Sequence, residues 1–81
     1  MNLYRVKRVD RHGWDEWDAF VAAAENWQSA RDIHPSGSML NWDQPYSGWV
    51  PFDQRESLLT VERLGTTHLP EGVILASFNA G

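Results

Sequence analysis

Trp17 to Pro35 reads W-D-A-F-V-A-A-A-E-N-W-Q-S-A-R-D-I-H-P. Its first half has a strand's length. Trp17, Ala19, Val21 and Ala23 fall on one side of a pleated strand, and Asp18, Phe20, Ala22 and Ala24 on the other. Both sets are mostly apolar, as in a strand covered on both faces. The three alanines favour helix, so one helix from Trp17 to Ile33 is the alternative. Asn26 decides between them. It is a strong N-cap residue, whose side chain accepts a bond from an orphan N–H of the first helical turn. From there Trp27, Ala30, Ile33 and His34 share a helical face. Pro35 disfavours helical geometry at His34 and ends the helix, which is about two turns long and depends on packing.

Outward from this pivot, Leu3 to Val9 reads as a first strand. Tyr4, Val6 and Arg8 lie on one side and Leu3, Arg5, Lys7 and Val9 on the other, a mixture that suits an edge. Asp10 to Glu16 contains Gly13 and reads as a hairpin loop. P-S-G-S follows the helix as a loop. Met39 to Glu56 shows neither period but holds Trp42, Tyr46, Trp49 and Phe52, so it is an ordered, irregular segment over the sheet or a contact surface. Leu58 to Leu64 reads as a third strand, Gly65 to Gly72 as a turn, and Val73 to Phe78, the most apolar run, as a central strand. The expectation is one α+β domain over residues 1–81. It has the order β-β-α-β-β and a four-stranded antiparallel sheet of order 1-2-4-3, with the helix on one face. The aromatic segment covers part of the other face.

Eighty-one residues make one domain, with stability of about 4–12 kcal/mol. Five Trp, three Phe and two Tyr supply much of the core. The absence of cysteine removes disulfides, thiol catalysis and zinc-thiolate sites together. No apolar run has the length of a membrane helix, and M-N-L-Y-R-V-K-R lacks the apolar centre of a signal peptide, so a cytoplasmic protein is expected. Net charge is −4, from eleven acidic and seven basic side chains. That balance disfavours a dominant nucleic-acid role. Arg5, Lys7, Arg8 and Arg11 nevertheless cluster at the start. They define the alternative: a nucleic-acid-binding module that uses the N-terminal basic strand.

Catalytic chemistry finds little purchase. His12, His34 and His68 lack the spacing of metal ligands, and His34 is placed to meet the helix C-terminal carbonyls. No serine sits in a G-x-S-x-G elbow, and no glycine-rich phosphate loop is present. Glu16 and Asp18 share a strand face, and a solvated strand entrance explains them. The expectation is a non-enzyme with no cofactor and no metal. What remains is aromatic residues beside acid, the composition of interface hot spots. Trp14, Asp15 and Trp49 are the expected partner-binding residues. Trp42 anchors its segment to the domain, and Trp17 and Trp27 belong to the core.

The phrases Y-R-V-K-R, G-W-D-E-W-D-A-F-V-A-A-A-E-N, A-R-D-I-H-P and G-V-I-L-A-S-F-N-A-G resemble a group of short uncharacterised proteins of tailed phages and prophages. The resemblance covers most of the chain and carries no established activity or functional residue. Trp27 stands where that pattern has an acidic residue. The resemblance implies a phage-encoded protein acting in the host cytoplasm. By analogy of class it implies a protein that binds and inhibits a host macromolecule through protein–protein contact, as anti-CRISPR and other anti-defence proteins do. The sequence leaves the oligomeric state open, a homodimer included.

Overall fold

The computed structural model describes residues 1–10, 16–44 and 48–79. Strands β1 (Asn2–Arg8), β2 (Glu16–Ala24), β3 (Leu59–Thr66) and β4 (Gly72–Asn79) form one four-stranded sheet. Helices α1 (Trp27–Arg31) and α2 (Arg55–Leu58) are short, and 3-10 turns occupy Met39–Asp43 and Phe52–Gln54. The α+β class and the antiparallel pairing agree with the sequence reading.

The strand order does not. It is β3-β1-β2-β4, in place of 1-2-4-3. The first strand, expected at an edge, is interior, because its charges are sorted by face. Arg5 and Lys7 point to the open side, while Tyr4, Val6 and Arg8 are buried on the other. A row of side chains crosses the sheet on that covered face: Val61, Val6, Phe20 and Ala76, one from each strand. The charge-free fourth strand, expected at the centre, is an edge. Ile74, Leu75 and Phe78 stand exposed on it.

Consequently Gly65 to Gly72 is not a hairpin turn. Residues 67–71 link opposite edges of the sheet and cross the ends of β1 and β2. Three interstrand spacings amount to about 14 Å. The six Cα steps from Thr66 to Gly72 reach about 20 Å when extended, so the link spans the sheet end with slack for its bends. Thr67 N–H donates to the Met1 carbonyl at 3.0 Å on the way.

The strand and the cap of the pivot behave as read, but α1 ends at Arg31, short of the two turns expected to run to His34, and β2 is covered on one face only among the described residues. Asn26 Oδ1 accepts from Ser29 N–H at 2.8 Å and starts α1. Ala22 and Ala24 on β2 and Ala30 on α1 are fully buried together, so the strand alanines serve a close helix–sheet approach. Trp27 departs from its expected core position and is 48% exposed. The aromatic segment also departs from expectation. It lies in the same layer as α1, with Trp49 and Val50 joining Tyr4, Val6 and Phe20 in the core. The opposite sheet face has no covering element among the described residues.

This burial pattern predicts opposite outcomes for two aspartates in apolar strand positions. Phe20 is 1% exposed, so Phe20→Asp buries an unpaired charge and abolishes cooperative thermal unfolding. Leu75 is 68% exposed, against the sequence expectation that it is core. In dilute protein Leu75→Asp changes stability by no more than about 0.5 kcal/mol in the same melts.

Candidate functional site

Three side-chain assemblies stand on the covered layer, and two of them are structural. The first surrounds Arg8. Its Nε and Nη2 donate to the two carboxylate oxygens of Asp10 at 2.7 and 2.9 Å, and Nη1 donates to Glu16 Oε2 at 2.9 Å. The guanidinium carbon lies 5.7 Å from the Trp49 ring centroid. The bidentate bond to Asp10 is the largest influence raising the Arg8 pKa from its ordinary value, and burial opposes it. Arg8 therefore ties the base of the β1–β2 hairpin.

The second assembly is centred on His34, which has no exposed surface. Its ring meets Trp17 and Trp42 edge-on, at centroid distances of 5.7 and 5.2 Å. Ser36 N–H donates to Nδ1 at 3.1 Å, and Ser36 Oγ lies 2.8 Å from the same nitrogen. Ser36 Oγ already accepts from Ser38 N–H and Asn41 Nδ2, so its own proton goes to Nδ1. Nδ1 is thus an acceptor, and the ring proton sits on Nε2, which has no hydrogen-bond partner among the described residues. His34 does not cap helix carbonyls with its ring, as the sequence suggested. It caps the Pro35–Ser38 turn. The chain of rings continues from Trp42 to Phe52 at 5.3 Å, and Arg55 closes it by lying 3.6 Å from the Phe52 centroid and pairing with Asp32. Trp42 Nε1 donates to the Asp32 carbonyl at 2.9 Å, in the anchoring role expected of it.

The third assembly is open. A groove of about 670 Å³ runs between α1 and β3. Leu59 and Val61 line it with Tyr4, and Trp27, Arg31, Glu56 and Arg63 complete its lining. Arg31 lies over the Trp27 ring at 5.2 Å. Its Nη1 is 3.9 Å from Glu56, and its Nε, 3.7 Å from Asp32, is beyond hydrogen-bond reach. Arg31 Nε therefore keeps an unused donor among the described residues. Among the described residues the Arg63 guanidinium bonds Asn2 Oδ1 alone, at 3.2 and 3.3 Å. An apolar wall, a half-exposed indole and two guanidinium groups together suit a partner surface that offers an apolar side chain beside a carboxylate.

The sequence-derived site residues are scattered. Trp14, Asp15 and Arg11 lie outside the described residues. Trp49 is 7% exposed and packs against Phe20 at 5.5 Å, which corrects its assignment as an outward contact residue. The neighbouring Gly48 carbonyl accepts from Trp17 N–H, and this bond draws the segment inward. Of the basic strand, Arg8 is buried and paired. Arg5 is exposed and pairs with Glu62 at 2.7 Å, and Lys7 is exposed. The described cations of β1 thus do not form one surface. The groove residues were missed, although Trp27 and Arg31 are four apart on a helix, the spacing at which side chains meet.

Among the described residues no group of three His, Cys, Asp or Glu side chains is placed to hold a metal ion. No helix there is long and apolar enough to cross a membrane. Compared with known proteins, the chain matches no family model, no curated protein and no solved structure.

Two measurements test these assignments. Trp49→Ala costs about 3–5 kcal/mol of stability in denaturant unfolding, as truncation of a buried aromatic does. Burial holds the His34 pKa below its ordinary 6.5. Below about pH 6.5 the unfolded chain takes up a proton that the folded chain refuses. Stability is therefore full above that pH and falls as pH drops from 6.5 toward the lowered folded value. His34→Gln is less stable at pH 7.5 but loses this part of the slope.

Proposed function

We propose that this domain is a non-enzymatic binding protein that recognises a partner protein through the groove between α1 and β3. The observation that carries the reading is the half-exposed Trp27, with the largely buried Arg31 against its ring, beside an apolar groove wall. Tryptophan and arginine are the residues most enriched in interface hot spots, and here the indole is pre-positioned by a cap and a cation. Pre-positioning lowers the entropy lost on association. The partner chemistry that fits is an apolar side chain flanked by acidic groups, which meet Arg31 and Arg63. The resemblance to phage proteins adds that the partner is a macromolecule of the host cytoplasm and that binding inhibits it, in the manner of an anti-defence protein.

The test is affinity capture from host lysate at physiological salt, with Trp27→Ala and Arg31→Ala alongside the parent chain. The parent retains a defined protein. Trp27→Ala weakens that retention by about 2 kcal/mol or more while leaving the melting temperature nearly unmoved. Retention of nucleic acid that collapses with added salt and depends on Arg5 and Lys7 would replace this reading with the basic-strand alternative.

A further inference from the structure

One wall of the groove between α1 and β3 is an open strand edge. Among the described residues β3 pairs with β1 alone. Val9 N–H donates to the Leu58 carbonyl at 2.9 Å, so the backbone groups of Val9 and Leu58 face each other. By alternation Lys7 and Thr60, and Arg5 and Glu62, face each other too. The residues between, Leu59, Val61 and Arg63, turn their backbone groups to the outer edge. Leu59 N–H is taken by the Arg55 carbonyl, but Val61 makes no outward backbone hydrogen bond among the described residues. The side chains of the same three residues line the groove. Leu59 to Arg63 keep one register with β1, and the bulge at Leu64 falls beyond them. β4, the other edge, breaks register within its length, at Ile74.

Charge is sorted along the groove. Arg31 stands at the Leu59 end, where its Nη1 approaches Glu56 of α2. Arg63 stands at the other end, bonded to Asn2, whose amide donates to the Glu25 carbonyl just before α1. Val61 lies between the two guanidinium groups. Arg31 Nε has no hydrogen-bond partner among the described residues, so the cation is under-used. Glu56 is the acid of the lining. Its side chain is 89% exposed and too far from Arg31 for a hydrogen bond, so it competes weakly with an incoming carboxylate. Glu62 lies on the open face, paired with Arg5, and points away from the groove.

We infer that the occupant of the groove is an extended segment of a partner protein that adds to β3 as an antiparallel strand, with an acidic, an apolar and an acidic side chain at every second position. The inference rests on the groove being the partner surface. The apolar residue stands opposite Val61 and exchanges both backbone bonds with it. Its side chain enters between Val61 and Trp27. The flanking acids stand opposite Leu59 and Arg63, one pleat repeat to either side, and meet Arg31 and Arg63. Main-chain bonds supply affinity and the alternate side chains supply selectivity. No two acidic residues of this chain stand four apart, so a second copy does not offer this pattern and a different protein does.

Amide NMR titration of the full chain with a capped synthetic peptide, Thr-Asp-Thr-Leu-Thr-Asp-Thr, tests this. Binding saturates, and the Val61 and Arg63 amide signals shift while those of β4 stay. N-methylation of the peptide's leucine weakens binding at least about tenfold, because that amide faces β3. N-methylation of either threonine beside it changes binding less than about threefold, because those amides face away. Asparagine in place of both aspartates weakens binding at least about tenfold. Glu56→Gln, which removes the acid of the groove, tightens binding about twofold. A peptide that does not bind, shifts confined to other strands, or an N-methyl-leucine peptide that binds like the parent overturns the inference. The groove reading survives those results where capture of a host protein still depends on Trp27, and falls with the inference where it does not.

Discussion

Arg8 in the interior carries the architecture. A buried guanidinium without partners destabilises a small domain severely, and one with complete partners is tolerated. Asp10 and Glu16, from the two ends of the β1–β2 hairpin, meet it from both sides while Trp49 approaches it from the helical layer. That satisfaction lets β1 present Tyr4, Val6 and Arg8 inward and accept neighbours on both edges. With β1 and β2 at the centre, β3 and β4 become the edges. The groove at one side and the bare strand at the other then follow from a single compensated charge.

Among the described residues, this short chain covers one sheet face. α1, the Trp49–Val50 stretch and the ring chain from Trp17 through His34 and Trp42 to Phe52 all lie on the same side. The opposite face keeps Arg5 and Lys7 in water. Ordering an irregular segment of this length costs about 1–2 kcal/mol per residue in backbone entropy. Ring contacts, the Trp42 bond to the Asp32 carbonyl and the Arg55–Asp32 pair offset that cost. The layer is too narrow to fill the space over β3. There Trp27 and Arg31 overhang a cleft instead of packing into it.

Local chemistry in the chain determined a good deal. Asn26 started the helix, the alternation in β1 sorted Arg5 and Lys7 from Tyr4, Val6 and Arg8, and the apolar runs became strands. These outcomes depend on near neighbours, through capping bonds and the two-residue pleat. The tertiary structure alone decided which strands were interior. Apolarity does not rank strands when a buried Arg8 can be compensated by residues from a loop and the next strand, and when a charge-free β4 is left at an edge. It also decided which tryptophans were core. Trp49 sits between glycine and valine like a surface residue, yet the Gly48 carbonyl bond to Trp17 N–H turns it onto Phe20. Trp27 falls on the packed face of an ideal helix, yet α1 is too short and too near β3 to bury it. Such distinctions arise from contacts between residues far apart in the chain, and no local pattern encodes them.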